Sequence, residues 1–471
     1  MLLSTTTVSW SDYSSWSVLM QIGVLLVALL AANIIREKVP FIRKMLFPNA
    51  LIAGILIFIV KLVSGLLKID YEPIFNGAVM QIITYHALGI GFAALALKQA
   101  EKKKQVKFGK VLDSAVLCGG AYMLQATVGL LITLVGFGAI GYAGIILPLG
   151  YGQGPGNAMA WGGNYDVSEG FTGGASFGLT VATMGFIVAS VVGVIYMNVM
   201  RRKGKLHVRK GGETKMEDTS LNGNAPESGS VDKLSMNEAL IALTYVLAYG
   251  FMWLLSATGI GLLDSLGWGL NFLWSLFFGF LVKFILESGK KRGMIQKEYR
   301  SNYLLDRVSG MAFDVMIVAG VAAIEWESVV AYWLPLTLLC TVGAVVTFVY
   351  IYIGSHKVFP GYEHETFLSN FGTYTGTVSN GMILLREVDP NFKTPAANNL
   401  VLSNSVSFLF NAPLFLLLAT VPKSPWLCLG LFAFLFVAYS VFLFRKAIFR
   451  KKKEPVWTED GGYGEETDTE A

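Results

Sequence analysis

Eleven apolar runs, each about as long as the roughly 20-residue helix that crosses a bilayer, follow one another along this 471-residue chain. They lie near residues 17–35, 49–67, 79–97, 111–136 and 172–199, then 235–256, 268–286, 308–324, 328–353, 397–418 and 425–444. Only 15% of residues are charged and 54% are hydrophobic, where a soluble domain carries about 25% charged residues. The charges cluster in short blocks between the runs. The chain therefore reads as an all-α polytopic membrane protein.

Lysine and arginine set the orientation, because short loops rich in them stay on the cytoplasmic side. The blocks Arg36 to Lys44, Lys98 to Lys110, Arg201 to Lys210, Lys290 to Arg300 and Arg445 to Lys453 are assigned inside. The loops with Asp70 and Glu72, Asp166 and Glu169, Asp264, and Glu325 and Glu327 are assigned outside. The N-terminus is then outside and the C-terminus cytoplasmic. This alternation closes only if residues 143–165 and 364–385 do not cross, so both are expected to be re-entrant hairpins, entered from opposite sides. Each half, 1–200 and 235–420, then holds five crossings plus one hairpin, and an odd number of crossings turns the second half over. The expected architecture is an inverted repeat with an extra helix at 421–446. Residues 201–234, rich in Gly, Ser, Asn and Glu, are expected to be a disordered cytoplasmic linker, and the acidic tail 447–471 is expected to be disordered too.

Several function classes find no support. Cys118, Cys340 and Cys428 sit inside apolar runs and read as packing residues. No Gly-Lys-Ser/Thr nucleotide loop appears, and no nucleophile, metal cluster or carboxylate pair lies at depth, so neither ATP drive nor an enzyme is expected. The net charge of +5 comes from membrane-flanking lysines and arginines and implies no nucleic-acid partner. A channel would need a repeated filter, which two unlike hairpins do not provide. The first basic residue is Arg36, after the first apolar run, so that run is expected to be a retained helix.

Chemistry is expected at the breaks. Gly152, Gln153, Gly154, Pro155, Gly156 and Asn157 let the backbone turn sharply and approach a ligand, and a helix resuming near Asn157 would aim free N–H groups at a carboxylate. The second break offers neutral hydrogen-bond partners in Thr373, Thr375, Gly376, Thr377, Ser379 and Asn380. Behind them, Ser176, Thr180 and Thr183, and Asn404, Ser407 and Asn411, recur at helical spacing, which keeps each trio on one face as oxygen ligands for a hard cation. The alternative for both trios is interhelical hydrogen bonding. Asp314 is read as the most interior carboxylate, a further cation candidate or a partner of Arg307. Asp113 is expected to be solvated, Lys61 to extend toward the outer surface, and His86 to be a hydrogen-bonded core histidine.

The run Gly150-Tyr-Gly-Gln-Gly-Pro-Gly-Asn-Ala-Met-Ala-Trp161, followed by Gly173-Gly-Ala-Ser-Phe-Gly-Leu-Thr-Val-Ala-Thr-Met-Gly-Phe186, resembles the sodium/glutamate symporter family. So do Asp306 to Ile317 and Ser403 to Pro413 in the second half. The resemblance implies Na+ as coupling ion, uptake of glutamate or a related small carboxylate, a homodimer, and hairpins carried past a scaffold in an elevator-like cycle. The second hairpin departs from the family pattern: Thr373 to Ser379 is less glycine-rich and lacks its proline. Proton-coupled transport of another small organic anion is the alternative.

Overall fold

Backbone in hydrocarbon must satisfy its own polar groups, and each of the eleven apolar runs does so as a helix. The computed structural model describes residues 16–70, 74–99, 108–206, 230–294 and 300–445, with residues 11 and 448 and tail pieces 456–457 and 463–464. The first half contains α1 (Ser17–Lys38), α2 (Asn49–Leu66), α3 (Gly77–Leu97), α4 (Phe108–Gly136), α5 (Pro155–Glu169) and α6 (Gly174–Arg202). The second contains α7 (Ser230–Ala257), α8 (Asn271–Lys291), α9 (Asn302–Ala322), α10 (Trp333–Val358), α11 (Glu363–Thr375), α12 (Val378–Arg386) and α13 (Ala396–Leu417), and α14 (Pro425–Leu443) follows. Short helices at Gly261–Gly269 and Trp326–Ala331 precede α8 and α10 and delay their starts, whereas α7 and α9 begin several residues ahead of the expected runs. Among the described residues nine helices are long and apolar enough to cross a membrane, or ten if the bent α13 counts as one. The helix that falls short is α9, which carries Asp306, Arg307 and Asp314.

Most of the expected linker and tail lies outside the described residues. At their edges α6 ends at Arg202 and α7 begins at Ser230, and Val456–Trp457 pairs antiparallel with Tyr463–Gly464.

Both interrupted segments fold back on themselves. After α4, residues 138–153 run as short helical turns, tight at first and widening to a π turn at Leu149–Gln153, to a break at Gly154, and α5 returns from it. Tyr142 near the start of this segment stands 5.5 Å from the Tyr165 ring and 6.1 Å from Phe171 at its end, so both ends share one side of the molecule. In the second segment α11 enters, the chain breaks at Gly376 and Thr377, and α12 returns. Its arms touch backbone to backbone, since a Cβ on Gly372 would lie 2.8 Å from the Gly381 Cα. The same closeness joins α5 to α6, where a Cβ on Gly174 or on Gly178 would fall 2.2 Å from the Gly162 or the Ala158 carbonyl oxygen. Small residues permit such approach between helices that hydrophobicity alone does not drive together in lipid.

The helices pack in two groups. One holds α1, α2, α3, α7, α8 and α9; the other holds both hairpins with α4, α6, α10, α13 and α14. They meet mainly where α5 and α6 lie against α3 and α9. Contacts between segment ends join basic-flanked ends to one another, as in Lys98 to Asp306 at 2.7 Å and Arg201 to the Glu387 carbonyl at 2.8 Å. They join the other ends likewise, as in Tyr332 to the Thr172 carbonyl at 2.9 Å.

Two charges sit elsewhere than expected. Asp113 is not solvated: it is 1% exposed and takes a 2.8 Å bond from Arg445, just after α14. Lys61 points toward the end of α9 next to Glu325 but does not reach the surface. It is 8% exposed, and its Nζ donates to the Ala322 and Ile324 carbonyls at 2.7 and 3.4 Å, where cationic charge offsets the negative C-terminal end of α9. A buried charge is costly alone, so each finds a partner on a neighbouring helix.

Arg445→Met leaves the Asp113 carboxylate buried without its guanidinium and is expected to cost about 1–3 kcal/mol. Asp113→Asn added to it is expected to restore most of that loss, as read by thermal unfolding in detergent. Equal melting of the single and double variants would mean that the pair does not anchor α14.

Candidate functional site

The two hairpin tips meet. Gly154 has φ 85° and ψ −177°, a conformation essentially restricted to glycine, and the next residue, Pro155, opens α5 with φ already suited to a helix. Neighbouring glycines serve close packing instead: a Cβ on Gly152 would lie 2.1 Å from the Tyr122 ring, and one on Gly156 3.0 Å from Leu88. At Gly154 the nearest atoms to such a Cβ are the Thr377 Cγ2 at 3.6 Å and the Met316 Cε at 4.0 Å.

Gly154 is the N-cap of α5 and Thr377 the N-cap of α12, and neither start has a side-chain cap. Two helix N-termini thus converge, each carrying roughly half a positive charge on unpaired N–H groups. Such ends repel across a short gap and attract an anion placed between them. Asn157, 1% exposed in the first turn of α5, has neither amide atom hydrogen-bonded. Asn380 in the first turn of α12 accepts from Thr377 Oγ1 at 3.3 Å, and its Nδ2 is unpartnered. The site is therefore rich in donors at both tips.

A polar stripe on α4, which sequence reading missed, holds the tips in place. Cys118, Tyr122 and Gln125 follow one another at intervals of four and three, so they share a face of α4. Tyr122 donates to the Gly152 carbonyl at 2.8 Å, and Gln125 Nε2 donates to the Tyr374 carbonyl and to Thr347 Oγ1, both at 2.9 Å. Cys118 accepts from Asn411 Nδ2 at 3.7 Å, which adds a polar contact to its packing role. One signal was available: three hydrogen-bonding positions at helical spacing inside an apolar run. Gln125 Oε1 and Asn411 Oδ1 have no hydrogen-bond partner and remain open as oxygen acceptors.

Other candidates fall into different settings. Thr373 and Thr375 are buried and donate to the Ser369 and Phe371 carbonyls of their own helix, each at 2.7 Å, whereas Ser379 is exposed. Gly152 and Gln153 are half-buried, and Gly376 forms the break itself. Ser176 accepts from the Glu325 N–H at 2.6 Å, while Thr180 and Thr183 donate back along α6 at 2.8 Å. Asn404 does not share a buried face with Ser407 and Asn411: it is exposed, because α13 bends by 46° between Asn404 and Val406. Asp314 is exposed rather than interior; Met316, about 200° further round α9, is the residue that reaches the tip. His86 is exposed but does find a partner, the Tyr245 hydroxyl at 2.8 Å. A cavity of about 200 Å³ lined by Asn164, Glu169, Ser265 and Lys423 lies at the C-terminal end of α5, away from the tips.

Among the described residues no three His, Cys, Asp or Glu side chains are grouped as metal ligands. Neutral oxygens and amide donors dominate the tips.

Gly154→Ala adds a Cβ where there is room but forces a backbone region worth about 1–3 kcal/mol of strain. Uptake by reconstituted protein is expected to fall tenfold or more, with Gly163→Ala, whose Cβ would make an ordinary 3.7 Å contact with Ala175, close to wild type. Full activity in Gly154→Ala would remove the tip geometry from the mechanism.

The sequence profile of the sodium/glutamate symporter family matches residues 15–372. The match runs from α1 into α11 and stops short of the break at Gly376. Compared with curated proteins one by one, the chain matches none. With well over half of its length matched and its apolar helices packed around two broken segments, this multi-pass membrane protein belongs to the sodium/glutamate symporter family.

Proposed function

We propose that the protein imports glutamate, or a small carboxylate closely related to it, together with sodium ions, binding the anion between the two hairpin tips. The observation that carries this reading is the meeting of two uncapped helix N-termini at Gly154 and Thr377, with the unpartnered Asn157 amide beside them. A dicarboxylate supplies negative charge to both ends at once, which relieves their mutual repulsion. Sodium would be held by neutral oxygens behind the tips, among which Gln125 Oε1 and Asn411 Oδ1 are unpartnered. Ser176, Thr180 and Ser407 retain lone pairs that suit the same role.

The cycle we propose is elevator-like: α4, α6, α10, α13, α14 and both hairpins move together past the group formed by α1–α3 and α7–α9. The packing pattern supports this and an inverted repeat. As α1 packs on α2, so α7 packs on α8; as α2 packs on α9, so α8 packs on α3; and α3 packs on α9. Exchanging the halves maps this set onto itself. The basic segment ends give an outside N-terminus and a cytoplasmic C-terminus, and a homodimer is the assembly the family resemblance implies.

Charge fixes a minimum stoichiometry. Moving a monoanion inward against about 100 mV costs roughly 2.3 kcal/mol, which one sodium ion only cancels. A tenfold sodium gradient then supplies about 1.4 kcal/mol, enough for about tenfold accumulation, whereas two ions allow about a thousandfold or more. Accumulation well beyond about tenfold therefore requires at least two sodium ions per glutamate.

Proteoliposomes under an inward sodium gradient are expected to accumulate radiolabelled L-glutamate electrogenically, relative to a matched potassium control. Asn157→Leu, which keeps the branching and the number of heavy atoms and removes both amide atoms, is expected to lower this at least tenfold. Electroneutral uptake would refute the two-ion minimum, and uptake driven by protons with no response to sodium would refute the coupling. Failure of glutamate to compete where another carboxylate does would move the substrate within the class.

A further inference from the structure

We propose that the cavity at the C-terminal end of α5 binds a small neutral amino acid as a zwitterion, and that the bound molecule slows transport by tying the two helix groups together. The slowing rests on the sliding of the groups proposed above; the binding site does not.

The cavity, of about 200 Å³, lies on the seam between the groups. One wall belongs to the hairpin group: Asn164, Ser168 and Glu169 come from the last turns of α5, and Lys423 follows α13. Tyr165 joins these pieces, since its hydroxyl donates to the Leu418 carbonyl at 2.7 Å, so the two charges stay together. The opposite wall is the short helix Gly261–Gly269, which contributes Gly261, Leu262 and Ser265. That helix packs on α7 and so belongs to the other group.

The polar lining is not satisfied from within. Among the described residues, the side chains of Asn164, Ser168, Glu169, Ser265 and Lys423 make no hydrogen bond or ion pair. Nearby polar groups do find protein partners. Asp166 takes the Gly173 N–H at 3.0 Å, and Asp264 takes the Trp268 indole N–H at 3.1 Å.

The signs of the lining select the ligand. Glu169 is the last residue of α5, where the helix end adds negative partial charge, and together they suit an ammonium group. Lys423 and the first turn of the short helix, which has no side-chain cap, suit a carboxylate. One lining anion and one lining cation match a zwitterion, whereas a dicarboxylate would bring a charge without a counterpart. The volume falls below the about 300–1,000 Å³ of pockets for drug-sized ligands, which favours a short side chain. A carboxylate held by Lys423 from one group and by the short helix from the other binds this arrangement better than one in which the walls have slid apart. Occupancy therefore shifts the population toward it.

The experiment uses the full chain. Thermal unfolding in detergent and uptake of radiolabelled L-glutamate by proteoliposomes are each measured with and without L-serine. N-acetyl-L-serine lacks the ammonium group, and L-serinamide lacks the carboxylate. The variants are Glu169→Gln and Lys423→Gln, both at exposed positions, with Asn157→Leu as the tip control. L-serine is expected to raise the melting temperature and slow uptake, and neither blocked analogue is expected to do so. Without serine, Glu169→Gln and Lys423→Gln are expected to transport glutamate as wild type does. Each is expected to need about tenfold more serine for either effect, because it loses a charge-assisted bond, while Asn157→Leu keeps the melting increment. An increment lost in Asn157→Leu and kept in the other two would place serine at the tips and overturn the site. A wild type indifferent to serine in both assays would show that the cavity holds water only and would overturn it too. Stabilisation without slower uptake would overturn the link to transport alone. Absence of glutamate uptake with the serine increment intact would overturn the proposed function and leave this site standing.

Discussion

Two helix ends of like charge, brought together inside a low-dielectric protein, are the constraint around which this molecule is arranged. Helix dipoles favour burying an N-terminus only against negative charge or acceptors. Here Gly154 and Thr377 bring two such ends side by side. The surroundings hold them there. Tyr122 grips the carbonyl just before one break, Gln125 the carbonyl just before the other, and Gly185 of α6 is small enough for the Thr375 carbonyl to approach it. The anion site proposed between the tips is preorganised, because bonds within the protein fix both tips.

Lipid sets the rest of the packing rules. Without a hydrophobic drive between helices, close approach rests on small residues, and the α5–α6 contact through Ala158, Gly162, Gly174 and Gly178 is the clearest case. Charges inside the fold are neutralised where they stand. Lys61 ends α9, and Arg445 brings the last helix onto Asp113 of α4. Both contacts lie within one helix group, so neither needs to break if the groups slide.

The sequence carried the helices and the breaks with little ambiguity, because an apolar run of bilayer length has few alternatives and a Gly-Pro-Gly segment cannot continue a helix. The site was only half legible. Glycine at 154 signalled a turn, but glycines at 150, 152 and 156 look the same in the sequence and prove to be packing contacts. Helical spacing put Asn404 with Ser407 and Asn411, an inference that assumes a straight helix, and α13 is bent between them. Position within a run ranked Asp314 above Asp113 for depth, yet burial depends on which face meets a neighbour, and Asp113 is the one turned inward.

By itself, the sequence determined that the chain is a polytopic helical membrane protein with two interruptions, since hydropathy, glycine and proline are local properties. Only the tertiary structure decided that the interruptions meet tip to tip and that α4 supplies the residues holding them. Each of these joins residues far apart in the chain. Their contact depends on how helices are rotated and bent against one another, and packing sets that rotation and bend where local composition does not.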